Sequence, residues 1–322
     1  MSPHLPLGPG REFDRIRRIA AKLGARARGL GDDCALIPPG LGELVSSTDL
    51  AIEDVHFRQV WLGHEEIGWR AAMGALSDLA AAGAQPVGLL AALALPATVS
   101  DDEVDRLMVG LGDAGSQVGA PVLGGDLSRG PCLALAVTGF GRAERPLSRS
   151  GAARGDGLWV TGHLGGARAA LTLWSRGERP DAASRQAFAR PRARIAAGRW
   201  LASHGARAMI DLSDGLAGDV RHLAAASAVG VVIQLELLPL HESVARAAGT
   251  VGEPPAAFAA KGGEDYELLV ALPGAFTPAE AAECERETGV PLTRIGAVTP
   301  GSRVRLLLEA TELALGGFDH FG

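Results

Sequence analysis

Apolar residues recur at the three- and four-residue spacing of an α-helix in three stretches of the first half of the chain. The first stretch, 11–23, is followed by Gly24, a common helix stop. The second covers 65–82. The third follows Ser100, which forms a capping-box pattern with Glu103. We predict an amphipathic helix for each of these stretches.

Between these helices lie apolar runs of strand length. They cover 34–37, 44–48, 87–95 and 133–140, and a shorter run, 121–123, leads into Gly124. A polar stretch rich in Arg and Gly, 142–156, follows them and favours a domain boundary. We therefore predict an N-terminal domain over 1–145 and a C-terminal domain over 146–322.

The second half repeats this mixture of short strands and amphipathic helices. Strands are predicted at 158–161, 208–210, 231–237, 266–272, 293–298 and 304–308. Helices are predicted at 166–174, at an Arg-rich segment ending at Gly205, at 217–228 and after Thr277, which pairs with Glu280 in a second capping box. The predicted fold class is α+β, with two α/β domains.

Composition narrows the classes of protein that fit. The chain has 322 residues, 47% of them hydrophobic and 21% charged, which indicates a globular protein with a sizeable core. Its 31 basic and 37 acidic residues give a net charge of −6, so a nucleic acid is not an expected partner. The chain shows no apolar run near 20 residues and no signal peptide, so we expect no membrane association and a cytoplasmic location. The three cysteines form no CxxC pair and are expected to be buried free thiols.

Acidic residues follow apolar runs at several distant points of the chain. LVSSTD ends at Asp49, PVLGGD at Asp126, and AMIDLSDG contains Asp211 and Asp214. Ligands of open sheets gather outside strand ends, so these carboxylates are expected to converge on one site. Further acids occur at Asp32, Asp33, Asp78, Glu264 and Asp265.

Several carboxylates in one cleft repel each other and require a cation. Hard oxygen ligands without nearby Cys favour Mg²⁺. The glycines of GLGDD, LGGD and GGED would let backbone amides approach phosphate oxygens, so we infer a nucleotide ligand. The alternative is that each Gly-Asp pair is an ordinary turn.

Other motifs are absent from the sequence. There is no GxxxxGK[ST] P-loop, and lysine occurs only at Lys22 and Lys261. No GxSxG, no HExxH and no GxGxxG after a strand occurs either. No well-placed nucleophilic His or Cys is evident, so we expect no covalent intermediate.

Seven motifs occur in a fixed order: GLGDDCAL, SSTDLAIEDVHF, ALSDLAAAGAQP, LGGDLSRG, LSRSGAARGDGLWVTG, IDLSDGLAGD and KGGEDYEL. Together they resemble the thiamine-monophosphate kinase family of the aminoimidazole-ribonucleotide-synthetase-like superfamily. The resemblance implies ATP-dependent phosphorylation of thiamine monophosphate to thiamine diphosphate. It also implies several Mg²⁺ ions and a homodimer in which the N-terminal domains, which bind ATP and Mg²⁺, share a β-barrel. The C-terminal domain would complete the active site.

The resemblance also implies roles for particular residues. The implied Mg²⁺ ligands are Asp33, Ser47, Thr48, Asp49, Asp78, Asp126, Asp211 and Asp214. The implied ATP contacts are Gly125, Asp126, Arg149 and Ser213. The implied contacts with thiamine phosphate are His56, Glu264 and Phe318. Family members can carry a tyrosine before the GGD motif, whereas the one tyrosine of this chain is Tyr266.

Two alternatives stay open. The first is another ATP- and Mg²⁺-dependent member of the superfamily, such as aminoimidazole ribonucleotide synthetase, selenophosphate synthetase or a hydrogenase-maturation dehydratase. The chain lacks a Cys in its first thirty residues and at its last residue, which disfavours the latter two. The second is a catalytically silent nucleotide-binding scaffold, which would be expected to lack part of the acidic set.

Overall fold

The computed structural model describes residues 11–28, 30 and 34–318. Contacts within the chain divide it into two compact units. Unit 1 comprises the chain up to Leu79 together with Gln85–Glu144, and unit 2 comprises Ala80–Ala84 and the chain from Arg145 onward. Each unit combines helices with one β-sheet, which confirms the predicted α+β class.

Unit 1 is built around a four-stranded sheet. Its helices are α1 (Arg11–Leu23), α2 (His64–Ala81) and α3 (Asp101–Gln117), and its strands are β1 (Glu43–Ile52), β2 (Gln85–Leu95), β3 (Val122–Arg129) and β4 (Ala134–Ala143). The strand order is β1-β4-β2-β3. Strands β2 and β3 are parallel, as the α3 crossover between them requires, and the other pairs are antiparallel. β1 and β3 are therefore the edge strands.

The two faces of this sheet differ in composition. One face packs under α2, whose Leu79 lies against Gly139 of β4, and it buries Val137 and Leu135. The other face exposes Leu44 and Leu50 of β1, which keep 49% and 51% of their surface. In β1, Leu44 and Leu50 thus lie on the exposed face, whereas Ser47 and Asp49 lie on the helix-covered face.

Unit 2 is built around a seven-stranded mixed sheet of order β11-β10-β7-β9-β5-β8-β6. Its strands are β5 (Gly157–Thr161), β6 (Ala208–Asp211), β7 (Gly230–Gln234), β8 (Leu268–Leu272), β9 (Leu292–Thr299), β10 (Val304–Leu308) and β11 (Thr311–Glu312). Its helices are α4 (Gly166–Ser175), α5 (Ala182–Ala189), α6 (Ile195–Ser203), α7 (Leu216–Ser227), α8 (Val244–Val251), α9 (Pro255–Ala260) and α10 (Pro278–Thr288). Strands β5 and β8 are buried along their whole length.

Both predicted capping boxes are confirmed. Ser100 accepts a hydrogen bond from the Glu103 amide at 3.4 Å, and the Glu103 carboxylate accepts one from the Ser100 amide at 2.8 Å. Thr277 and Glu280 repeat the arrangement at 3.3 and 2.7 Å.

Among the described residues, no helix combines the length and the apolar composition needed to cross a bilayer.

The prediction that Asp49 and Asp126 follow strand ends is wrong. Strand β1 continues to Ile52, and β3 continues to Arg129, so both aspartates lie inside strands. Side chains of a strand point out of the plane of the sheet and take no part in its backbone ladder, so a carboxylate does not by itself end a strand. Asp211, in contrast, is the last residue of β6, as predicted.

Other boundaries also differ. Residues 34–37 form no strand, 235–237 form a 3₁₀ turn, and β8 begins at Leu268. The sequence analysis did not predict α5, α8 or α9, which have six to eight residues and are too short to show a clear helical period. The prediction of three buried cysteines is also wrong. Cys284 is buried, Cys132 is partly exposed and Cys34 is exposed.

Candidate functional site

In unit 1, three of the predicted metal ligands lie together. Ser47 and Asp49 are two residues apart on β1 and therefore share one face of the strand. The Ser47 hydroxyl donates a hydrogen bond to the Asp78 carboxylate of α2. Burial and the nearby Asp78 carboxylate raise the pKa of Asp49 to about 6. The hydroxyl of Ser47 and the carboxylate of Asp49 on β1 thus lie close to the carboxylate of Asp78 on α2.

Thr48 lies on the opposite face of β1. Its Oγ1 is 2.8 Å from Oγ1 of Thr138 in the neighbouring strand β4. Its side chain therefore does not join those of Ser47 and Asp49 on the helix-covered face.

Asp126 is separated from Asp49 within unit 1. The two residues occupy opposite edge strands, three strand spacings or about 14 Å apart. The strand register aligns Asp126 with Ala92 and Leu50, whose side chains are on the exposed face. Asp49 and Asp126 therefore do not lie together within unit 1 of one chain.

His56 lies in the turn that follows β1. Its Nδ1 accepts a hydrogen bond from the Ile52 amide at 3.1 Å, which leaves Nε2 as the protonated nitrogen of a neutral ring. The GLGDD motif precedes β1, and its Asp33 lies outside the described residues. Gly125 approaches the neighbouring strand closely, since a Cβ there would be 1.9 Å from the Ala91 carbonyl oxygen.

In unit 2, four predicted site residues meet at one loop. Residues 211–215 lead from β6 to α7, and we call them the DSDG loop after Asp211, Ser213, Asp214 and Gly215. The Ser213 carbonyl accepts a hydrogen bond from the Glu264 amide at 2.8 Å, and the Asp214 carbonyl accepts one from the Phe318 amide at 2.9 Å. Phe318 itself keeps 57% of its surface exposed. Three distant segments of sequence are therefore fixed to one another through their backbones.

We call residues 261–266 the KGGED segment, and close approach makes glycine necessary where the DSDG loop meets it. A Cβ on Gly263 would lie 2.6 Å from the Ser213 carbonyl oxygen. A Cβ on Gly215, whose φ is +104°, would lie 2.9 Å from the Gly262 carbonyl oxygen. The glycines of these motifs therefore allow the two loops to pack backbone against backbone.

Asp219, which was not among the predicted site residues, is a buried carboxyl next to the DSDG loop. It is 2% exposed, and it accepts a hydrogen bond from the Asp214 amide at 3.2 Å. Burial, and then the carboxylates of Asp214 and Asp211, raise the pKa of Asp219 to about 8. Its position five residues after Asp214, on the first turn of α7, was the available sequence signal.

The KGGED segment holds an unusual backbone. Glu264 and Tyr266 have φ values of +68° and +51°, in the left-handed region that non-glycine residues rarely adopt. Each such residue costs on the order of 1 kcal/mol and persists only where surrounding contacts enforce it. Asp265, between them, turns its carboxylate toward the first turn of α4. Burial raises the pKa of this carboxyl well above its usual range, although amides of Gly165 and Ala167 act in the opposite sense.

Arg149 lies beside β6, the strand that leads into the DSDG loop. The preceding residue, Ser148, accepts a hydrogen bond from the Met209 amide of the edge strand β6 at 2.9 Å. The Arg149 carbonyl accepts one from the Ser227 hydroxyl at 3.0 Å, and the residue is exposed. This exposed cation therefore stands next to the strand that ends at Asp211.

The oxygen-rich donor sets are compatible with a hard cation. Ser47, Asp49 and Asp78 supply such a set in unit 1, and Asp211 and Asp214 supply two carboxylates in unit 2. Within the described part of the chain, however, no three His, Cys, Asp or Glu side chains lie close enough together to hold a metal ion by themselves. A cation would therefore take further oxygens from hydroxyls, carbonyls, water or phosphate.

Family models match both units of the chain. The N-terminal domain of AIR synthase related protein matches residues 31–143, and its C-terminal domain matches residues 153–309. Together with the fold, the two matches show that this chain is an AIR synthase related protein and that it contains both the N-terminal and the C-terminal domain of that family.

Known relatives narrow this class. Thiamine-monophosphate kinase of Escherichia coli (strain K12) is 36% identical over 329 residues, which cover 97% of this chain and 96% of that protein. The crystal structure of thiamine-monophosphate kinase from Stenotrophomonas maltophilia K279a matches with a TM-score of 0.81 and 33% identity, over 90% of this chain and 95% of that one. AaThiL complexed with AMPPCP and TMP matches with a TM-score of 0.77 and 32% identity, over 86% and 87% of the two chains. This chain belongs to the thiamine-monophosphate kinase family.

Proposed function

We propose that this protein transfers the γ-phosphoryl group of ATP to thiamine monophosphate, giving thiamine diphosphate and ADP. The observation that carries the proposal is the DSDG loop, to which backbone hydrogen bonds attach Glu264 and Phe318. Family membership and the AaThiL complex with AMPPCP and TMP support it. In this proposal, Ser213 contacts ATP, and Glu264 and Phe318, which are attached to the same loop, contact thiamine monophosphate.

The proposed reaction is a direct in-line transfer. An oxygen of the thiamine phosphate forms a bond to the γ-phosphorus as the bond from that phosphorus to the β,γ-bridging oxygen breaks, and ADP leaves with the electron pair. A phosphate monoester is already ionised near neutral pH, so the protein need not supply a strong general base or a covalent nucleophile. We propose that Gly125, Asp126, Arg149 and Ser213 position ATP. We propose that His56, Glu264 and Phe318 position thiamine monophosphate.

Magnesium is the cation we propose for this reaction. Its proposed ligands are Asp33, Ser47, Thr48, Asp49, Asp78, Asp126, Asp211 and Asp214, and Thr48 would contribute through its carbonyl. When bound, Mg²⁺ supplies positive charge that offsets the repulsion between the two phosphate groups. The protein's own part is to hold the carboxylates in place, and Arg149 adds a fixed cation.

The proposal is tested by measuring ADP release from the purified protein. Thiamine monophosphate, thiamine and the aminoimidazole precursor are added separately, each with and without Mg²⁺. We expect ADP release only with thiamine monophosphate and Mg²⁺ together. Release driven by the aminoimidazole precursor would favour another superfamily activity, and no release with any acceptor would favour a silent nucleotide-binding scaffold.

Glu264→Ala is expected to raise the KM for thiamine monophosphate about tenfold or more and to leave the KM for ATP within about twofold. The reason is that a charged hydrogen-bonding partner contributes about 1.5–3 kcal/mol to binding, and this one is assigned to the acceptor. Steady-state kinetics with each substrate varied in turn measures both constants. Glu236→Ala, at an exposed acid of the same unit, is the control. Equal increases in both KM values would instead indicate a metal-binding role.

We also propose that two copies of the chain pair through the exposed face of the unit 1 sheet. Leu44 and Leu50 on this face are about half exposed, and burying such side chains against a second copy is favourable. Leu50→Asp should therefore shift the protein from dimer to monomer in sedimentation velocity at micromolar concentration. Val60→Asp changes an 87% exposed residue outside the sheet and should leave the dimer intact. An unchanged dimer in Leu50→Asp would contradict this arrangement.

Since ATP is the proposed donor, we also propose that the enzyme acts in the cytoplasm.

A further inference from the structure

We propose that Asp265 is a positioning residue, which fixes the backbone of Glu264 by anchoring the KGGED segment to the first turn of α4. The inference rests on the proposed function, because it assigns Glu264 to the side of the thiamine phosphate. Asp265 itself contacts backbone amides of this chain, so its effect on the reaction passes through its neighbour.

The KGGED segment requires an anchor because of its backbone. Glu264 and Tyr266 both have left-handed φ values, and Asp265 lies between them. Non-glycine residues leave this region unless other contacts outweigh its cost. The DSDG loop supplies some of these contacts, since its Ser213 and Leu212 carbonyls accept hydrogen bonds from the Glu264 and Tyr266 amides at 2.8 and 3.0 Å.

The Asp265 side chain supplies the contacts on the other side. Its Oδ1 and Oδ2 accept hydrogen bonds from the Gly165 amide at 3.0 and 2.9 Å, and the Ala167 amide donates to the same carboxyl. These amides belong to the start of α4, where no intrahelical acceptor is available to them. The carboxyl therefore uses both of its oxygens to fasten the strained segment to a helix.

The helix end that receives Asp265 is itself fixed in place. Gly165 has a φ of +88°, and a Cβ there would lie 2.8 Å from Val244 and 2.9 Å from Ala259. A change at Asp265 is therefore expected to be absorbed by the KGGED segment and not by α4. Ser213 keeps its own connections through β6 and α7, so the disturbance should concentrate at Glu264.

Asp265→Asn tests this proposal. An amide has one acceptor oxygen, and its NH₂ group would face a backbone amide donor, so one of the two acceptor positions of the anchor is lost at nearly constant volume. We expect the KM for thiamine monophosphate to rise about tenfold, with kcat and the KM for ATP within about threefold of the starting protein. Asp265→Ser, which has one hydroxyl acceptor, provides the same comparison if the Asn variant does not fold.

Asp181→Asn is the matched control. Asp181 also receives the first amides of a helix, because it caps α5 by accepting from the Ser184 amide at 2.9 Å. Its Oδ1 also accepts a hydrogen bond from the Ser243 hydroxyl at 2.7 Å, so it belongs to the cap of α5, and its replacement should change neither KM selectively. A KM increase for thiamine monophosphate that is no larger in Asp265→Asn than in Asp181→Asn would overturn the proposal.

Hydrogen exchange separates failure of this inference from failure of the proposed function. The amides of Glu264 and Tyr266 should exchange at least tenfold faster in Asp265→Asn than in Asp181→Asn, whatever the protein phosphorylates. If the unaltered protein shows no thiamine-monophosphate kinase activity, the proposed function is wrong, and the exchange rates still decide whether Asp265 anchors the segment. Unchanged exchange at these two amides would refute the anchoring.

Discussion

Asp49→Ala is expected to lower kcat by on the order of 10³-fold, the loss typical of removing one preorganised electrostatic partner of a charged transition state. The carboxylates of Asp49 on β1 and Asp78 on α2 lie close together, and a cation held by Asp78 alone would be poorly placed to serve two phosphate groups. The rate of ADP release at saturating ATP, thiamine monophosphate and Mg²⁺ measures the effect.

This loss of activity should occur without loss of the fold. Burial and the Asp78 carboxylate already raise the pKa of Asp49 to about 6, so the ionised pair is unfavourable in the metal-free protein. The metal-free Asp49→Ala protein should therefore unfold at an equal or higher temperature than the starting protein at pH 8. Asp102→Ala, at an exposed acid of the same unit, should leave kcat unchanged. Near-normal turnover in Asp49→Ala would remove Asp49 from the site.

Asp219→Asn is expected to stabilise the metal-free protein at pH 8 by several kcal/mol, with an upper bound of about 5 kcal/mol. The pKa of Asp219 is raised from 3.8 to about 8 in the folded protein, so the folded state binds more protons than the unfolded state between these values. The contribution of this carboxyl to stability is therefore fully present below about pH 4 and is lost as the pH rises through about 8. Asparagine does not titrate, and its oxygen can still accept the Asp214 amide.

Urea unfolding at pH 5 and at pH 8, in the presence of a chelator, measures this difference. The starting protein should lose more stability between the two pH values than Asp219→Asn does. Asp156→Asn offers a comparison, since Asp156 is also buried but is paired with Arg207 at 3.0 Å, and its replacement should destabilise the protein. Parallel pH profiles for the starting protein and Asp219→Asn would show that the Asp219 carboxyl does not carry this cost.

Local sequence signals predicted much of the secondary structure. The boxes at Ser100 and Thr277 predicted their helix starts because each depends on contacts within four residues. Asp49 and Asp126 were assigned to strand ends because a carboxylate usually interrupts an apolar run. The ladders of β1 and β3 continue past them, and this depends on pairing with β4 and β2, partners that local sequence does not specify.

The candidate site shows the same division. The motifs around Asp78, Ser213 and Glu264 were recognisable as sequences, and the structure brings Ser47, Asp49 and Asp78 together in unit 1 and the DSDG loop, Glu264 and Phe318 together in unit 2. It also separates the side chain of Thr48 from that of Asp49, since neighbouring residues of a strand face opposite sides.

The sequence by itself determined the α+β class, the helix starts, the oxygen-rich chemistry of the site and the family to which the chain belongs. Only the tertiary structure decided which carboxylates share an environment, and it assigned structural positions to Asp219 and Asp265. The physical reason is that charge and residue type are local properties of the chain. Burial and proximity, which set the pKa of Asp219 and the anchor of Asp265, arise only when distant segments pack against one another.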